Sequence, residues 1–324
     1  MLKDPTRREF FAASAGLAAV GAGCSSSDGP DAGTSAGSET PAATETAGPR
    51  MKLSLSARVA ELFSNKKVAS INMDELIALG KKVGYEALCM RASQVGTHSE
   101  PEMVAEYSKK IQDAGLVVSM VTGDFFIPQN DEHGPDGLRN ITPYLDLAES
   151  FGAPLIRVCM KKDEDIEWAA KASDEAKERG IRVAHQSHNS SLFETVEGSV
   201  RVLKAVGREN FGIIYESANW FVAGEQYGKH GIEAVQDYIF NVYVQNHHLN
   251  PDSKDTLGTW GKGKVPIDHI GIWEEGGVDF DEVFGTLHAI GYHGYVTVHQ
   301  AFAGLMSVED AVVKSYDYLK TQTV

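Results

Sequence analysis

Residues 180–215 read GIRVAHQSHNSSLFETVEGSVRVLKAVGRENFGIIY, and this stretch decides the fold. Gly180 closes a helical pattern, because a glycine accepts the left-handed backbone that stops a helix. The short apolar run IRVAH (181–185) then reads as a strand that ends in polar residues, Gln186-Ser187-His188-Asn189. Residues 193–206 repeat their apolar positions at helical spacing, and FGIIY (211–215) is a second buried strand. A strand, a helix and a strand in this order make two parallel neighbours joined by a crossover helix.

The same unit repeats in both directions. Further strands are expected at 53–56, 86–90, 116–121, 154–160, 239–244 and 295–299, which makes eight. Helical patterns separate them at 73–83, 101–114, 137–151, 163–179, 229–237, 279–290 and 307 to about 320. Gly84, Gly115, Gly152 and Gly291 repeat the role of Gly180. Eight such units in this length match a single (β/α)8 TIM barrel of class α/β. A doubly wound open sheet would want a glycine-rich loop after its first strand, and Ser54-Leu55-Ser56-Ala57-Arg58 is not one.

The barrel is expected over 51–324, behind two segments of another kind. Residues 1–24, MLKDPTRREFFAASAGLAAVGAGC, carry Lys3, Arg7 and Arg8 before a modest apolar stretch too short to span a bilayer. Thr6-Arg7-Arg8-Glu9-Phe10-Phe11 resembles the twin-arginine export motif, and Gly21-Ala22-Gly23-Cys24 resembles a lipoprotein cleavage site whose cysteine takes the lipid. Residues 25–50 are rich in Ser, Gly, Ala, Thr and Pro, with too little to bury, and read as a flexible tether. The expectation is export by the twin-arginine route and a lipid anchor at the cell envelope. Cys89 and Cys159 lie within apolar runs and read as buried free thiols. A net charge of −15 with no basic stripe argues against a nucleic-acid partner.

In a barrel of this kind chemistry gathers at the C-terminal ends of the strands. There the sequence places Arg91, Asp124, His185, Gln186, His188, Asn189, Glu216, Asn219, Gln245, Asn246, His247, His248, His299 and Gln300. A carboxylate among imidazoles and amides suits a divalent metal or a polyhydroxylated ligand. Glu194 either faces the site or starts the next helix favourably. Arg91 and Arg157 suit a bound carboxylate or phosphate, or serve as structural residues inside the barrel. The segment from Leu249 to Val278, with Trp260 and Trp273, is long enough for a lid or binding loop over the site.

These strand ends carry a family resemblance over about residues 52–320. IRVAHQSHNSS, FGIIYESANWFVAGE, NVYVQN and GYHGYVTVHQ resemble the last four strands of the xylose isomerase-like barrels, the sugar phosphate isomerase/epimerase group that includes endonuclease IV. The resemblance implies one divalent ion held by Glu, Asp, His and Glu, and proton transfer next to a carbonyl as epimerase, isomerase or lyase. Here Gln186 stands at the first Glu, Glu216 at the Asp, Tyr243 at the His and His299 at the last Glu, while Asn246 replaces a further Asp. The implied metal set is Glu216, His299 and Gln186, softened toward zinc, with manganese or cobalt as the other candidates. The implied proton carriers are His188 or His248 together with Glu216. His185, Asn219, Asn246, Arg91 and Glu194 are the expected substrate contacts, and the expected partner is a small carbohydrate. The lost carboxylates leave a non-catalytic sugar-binding lipoprotein as the alternative. A DNA-repair role would need extra metal ligands near Met90-Arg91 and Thr122-Gly123 that are absent.

Overall fold

A computed structural model describes residues 50–63 and 65–324; the signal and tether expected over 1–49, Cys24 included, lie outside them. Its strands are β1 (Lys52–Ser56), β2 (Ala87–Arg91), β3 (Val117–Thr122), β4 (Leu155–Val158), β5 (Arg182–Gln186), β6 (Phe211–Glu216), β7 (Ile239–Val244), β8 (Asn246–Leu249), β9 (Thr256–Thr259), β10 (Gly263–Ile270) and β11 (Tyr295–Val298). All eight expected strands form. They close into a parallel barrel in the order β1-β11-β7-β6-β5-β4-β3-β2, with β11 pairing both Val244 of β7 and Leu55 of β1 through Val298.

Strand side chains alternate between two faces. Cys89, Met120, Leu155, Ala184, Ile214 and Tyr243 form a small cluster inside the barrel, separate from the larger core between strands and helices. Two residues further along the same inner face come Arg91, Thr122, Arg157, Gln186, Glu216 and Gln245. The alternation therefore fixes which polar residues enter the mouth.

The helices follow ordinary capping rules. Met73–Val83 starts at Asn72 with a reciprocal capping box to Glu75 and stops at Gly84, whose φ of 110° suits glycine. The single helix expected over 137–151 is instead broken: Asp136–Arg139 ends, and Thr142–Phe151 begins with a proline in its first turn. Pro143 would clash with the carbonyl four residues back, so the earlier turn cannot continue. A further short helix, Ser217–Ala223, follows β6 directly and was not expected.

The long segment after β7 is structured. β8, β10 and β9 make a three-stranded antiparallel sheet, in that order, which forms an arm beside the barrel mouth. Cys89 and Cys159 are buried and free. Among the described residues no helix is long and apolar enough to cross a membrane.

Candidate active site

The mouth of the barrel holds a cavity of about 390 Å³. Its walls come from inner-face residues of the strands, from the loops after β1 and β3, and from Leu257 and Gly258 of the arm. Four cations line it: Arg58, Lys66, Arg91 and Arg157.

Two of the four share one carboxylate. Arg91 donates Nε to Glu61 Oε1 at 2.6 Å and Nη2 to Oε2 at 2.8 Å, and Arg58 Nη1 donates to Oε2 at 3.2 Å. Ser93 adds a hydroxyl to Glu61 at 2.6 Å. Burial alone would raise the Glu61 carboxyl, but Arg91 and Arg58 hold it below the ordinary carboxylate range. Lys66 Nζ donates to the Pro128 carbonyl at 2.5 Å. Burial, with Arg58, Arg91 and Arg157 nearby, brings the Lys66 ammonium down to about 7.

Arg157 differs from the other three. It sits on the inner face of β4 with only 3% of its surface exposed. Among the described residues its Nε has no hydrogen-bond partner, and no carboxylate pairs with its guanidinium as Glu61 pairs with Arg58 and Arg91. Burial pulls its pKa down, and Arg91 adds to the effect against the pull of Tyr243 and Glu216.

Below the cavity Glu216 is fully buried. Its Oε2 accepts from Asn219 Nδ2 at 3.0 Å, and its Oε1 has no partner among the described residues. Burial pushes this carboxyl up to about 8, against the opposing pull of Arg157. Gln186, beside it on β5, also leaves its carbonyl oxygen unpartnered. His188, half-buried in the wall, uses Nδ1 on the Asn189 carbonyl at 2.8 Å. A carbonyl only accepts, so Nδ1 carries the proton and Nε2 is left with its lone pair. Burial and Arg157 keep the ring's pKa well below the ordinary histidine value. His299 holds Ser56 Oγ through Nδ1 at 3.1 Å, and its ring stacks on Tyr243 at 3.6 Å between centroids.

The structure thus gathers Arg91, Gln186, His188, Asn219 and His299 on the cavity wall, with Glu216 underneath. Four other expected site residues lie elsewhere. His185 points to the outer face of β5, one residue out of phase with Gln186, where its ring stacks on Phe193 at 4.4 Å. A shift of one residue along a strand reverses the face. Asn246 is buried as a structural bracket: it donates to the Gly271 and Glu274 carbonyls and accepts from the Val278 amide at 2.9 Å. His248 is exposed on β8, paired in register with Asp268. Glu194 is a clamp on the arm. Its carboxylate accepts from the amides of Ser190 at 2.6 Å, Trp260 at 2.7 Å and Gly261 at 2.8 Å.

Two charged wall residues were not expected at the site, and His247, expected at the end of the seventh strand, had no role assigned. Arg58 lies in a single 3-10 turn, Ala57–Ala60, and Lys66 in the loop that follows it, both too short to show a periodicity. His247 lines the cavity with neither ring nitrogen bonded, its pKa brought down to about 3 by burial.

The donors present do not fit a divalent ion. Among the described residues no three His, Cys, Asp or Glu side chains converge. Gln186, Glu216 and His299 share the inner face, but Tyr243 covers one side of His299 and turns its hydroxyl to Cys89 Sγ at 3.4 Å. His299 also feels the repulsive field of Arg91, Arg157, Arg58 and Lys66. A hard dication needs several anionic oxygens, and here it would meet four cations with one unpaired carboxyl.

A family model described as xylose isomerase-like TIM barrel matches residues 77–322. Several solved structures resemble the chain at low identity. A probable 3-DHS dehydratase from Bacillus anthracis gives a TM-score of 0.62 at 16% identity, covering 83% of this chain and 99% of that one. A D-allulose 3-epimerase from Methylomonas sp. gives 0.60 at 16%, covering 85% and 98%. A xylose isomerase-like TIM barrel protein from Mycobacterium smegmatis, solved in complex with magnesium, gives 0.62 at 14%, covering 84% and 96%. No match was found among curated protein sequences.

Proposed function

Because the chain belongs to the xylose isomerase-like TIM barrel family, we propose that it is an enzyme that moves a proton next to the carbonyl of a small carbohydrate-derived substrate. The observation that carries this reading is that His188 lines the cavity while Glu216 lies buried beneath it, each with polar capacity left free. His188 offers a neutral ring whose Nε2 keeps its lone pair, fixed by its Nδ1 bond to Asn189, and Glu216 offers a buried carboxyl with one oxygen unbonded. Their environments push the two groups toward opposite roles, a neutral base and a protonated acid, which is how one site supplies both. His188 takes the proton from the carbon beside the carbonyl. Glu216 returns one to the opposite face of that carbon, or to a departing hydroxyl. The side-chain amide of Gln186 lines the same cavity and supplies a donor to the oxygen that becomes negative. The dehydratase and epimerase among the structural neighbours support this class of chemistry.

The test is deuterium exchange. The full-length chain is incubated with keto-sugars, aldoses and sugar acids in heavy water, and the substrates are followed by proton NMR. Loss of a ring proton signal or appearance of an elimination product is expected, slowed about 10²–10⁴-fold in His188→Gln and Glu216→Gln. A ligand that binds without any exchange would favour the second reading, a non-catalytic binding protein. That reading draws on the replacement of the family's ligands by Gln186 and Tyr243.

We also infer that the chain acts outside the cytoplasm on a lipid anchor, from Thr6–Phe11 and Cys24. Labelling with radioactive palmitate in a bacterial host tests this; incorporation that persists in Cys24→Ala would refute it.

A further inference from the structure

We propose that the substrate is an anion: a carbohydrate carrying a carboxylate or phosphate that docks on Arg157, in place of the metal ion that the family resemblance implies. The proposal deepens the enzymatic reading above and rests on it for the carbohydrate part only.

The charge arrangement leads there. Arg58, Lys66, Arg91 and Arg157 line one cavity, and Glu61 is committed to Arg58 and Arg91 by bonds of 2.6–3.2 Å. Arg157 is left buried without a carboxylate partner among the described residues, and Arg91 keeps Nη1 unbonded. A guanidinium buried without an ion partner is unfavourable unless something else completes it. A neutral sugar would leave the charge uncompensated, and a divalent ion would add to the repulsion. An oxyanion satisfies Nε and the outer nitrogens of Arg157 together, since the planar fork matches a carboxylate or phosphate edge.

Position suits the role as well. Arg157 stands at the end of β4, next to β5, which carries Gln186 and leads to His188. An anion on Arg157 places the adjoining carbon chain beside the proposed acid and base. Leu257 and Gly258 of the arm wall the cavity on one side, and Glu194 holds the next residues of the arm, Trp260 and Gly261.

Binding is measured by calorimetry on the full-length chain at fixed ionic strength. The probes are D-galacturonate, D-galactose 6-phosphate, D-galactose, L-tartrate and inorganic phosphate. At least one of the small oxyanions is expected to bind and to raise the melting temperature. The charged sugars are expected to bind at least about tenfold tighter than galactose. Arg157→Met should remove that preference, and Arg157→Lys should restore it only in part, because an ammonium lacks the fork. Preference for galacturonate with tartrate names a carboxylate, and preference for the phosphate pair names a phosphate ester. If no oxyanion binds, or if all bind Arg157→Met as tightly as the wild type, the proposal is overturned.

Deuterium exchange in the same samples separates the two readings. An acid that binds through Arg157 without exchange leaves the anion site standing and removes the enzymatic reading. Exchange on galactose that is unaffected in Arg157→Met does the reverse.

Discussion

If Arg157 is kept for a ligand, deleting its charge should stabilise the free protein. In Arg157→Met the aliphatic stem is replaced by a side chain of similar length, so packing is largely retained. What disappears is a buried guanidinium with no carboxylate within ion-pair distance, close to the like charges of Arg91, Arg58 and Lys66. Replacing buried ions with apolar groups is often neutral or stabilising, and a gain of about 1–2 kcal/mol is reasonable here. For a domain of this size that corresponds to a rise of about 2–8 °C in Tm. Arg91→Met is the control. It strips two bonds of 2.6 and 2.8 Å from Glu61 and leaves a carboxylate buried with Arg58 and Ser93 alone. Breaking such a pair from one side costs about 3–5 kcal/mol, so its Tm should fall by roughly 6–20 °C. Scanning calorimetry without added ligand reads both. A fall in Arg157→Met comparable to that of Arg91→Met would mean that Arg157 is structural, and the reasoning toward an anionic ligand would lose its base.

Other outcomes follow from the same geometry. The Lys66 ammonium has its folded pKa lowered to about 7, so its favourable contribution is present above its ordinary pKa and is lost as pH falls through about 7; Lys66→Met should therefore raise Tm more at pH 6 than at pH 9. Glu194→Gln replaces the carboxylate that accepts three amides, and faster hydrogen exchange at residues 258–262 is expected, with ligand affinity lowered about tenfold. His185→Phe preserves the stack on Phe193 and should leave turnover within about twofold, since the ring lies on the outer face of β5 and does not line the cavity; a large loss would return His185 to the site. Titration with zinc or manganese should show no stoichiometric uptake, and one tightly bound equivalent per chain by elemental mass spectrometry would overturn the electrostatic case made from Arg58, Lys66, Arg91 and Arg157.

The barrel itself was legible because its signals are local and repeated. An apolar run and an amphipathic stretch recur eight times, five of them with a glycine stop, and the structure places a strand at every expected run. Boundaries slipped where local chemistry overrode the period, as at Pro143, and where an element was short, as in Ser217–Ala223. The arm was recognised as a long segment at the mouth, but its antiparallel pairing depends on contacts between β8 and β10 that no periodicity announces.

The site was legible only as far as strand phase was followed. Counting by two from Ala184 selects Gln186 and rejects His185, and counting from Leu155 selects Arg157. After Val244 the chain leaves the barrel and the count ends, so Asn246, His247 and His248 could not be assigned to a face; only His247 turned to the cavity. Arg58 and Lys66 lie outside any strand, and their role appears only when the loop after β1 folds over the mouth. This also explains how the balance of the site was missed. The changes at the family's ligand positions were visible one at a time as lost carboxylates. Their meaning depends on cations drawn from β2, from β4 and from the loop after β1, which meet only in three dimensions. An inner face that has exchanged anionic ligands for Gln186 and His299, and that faces three guanidinium groups and Lys66, has not simply lost a metal. It has changed the sign of what it can hold.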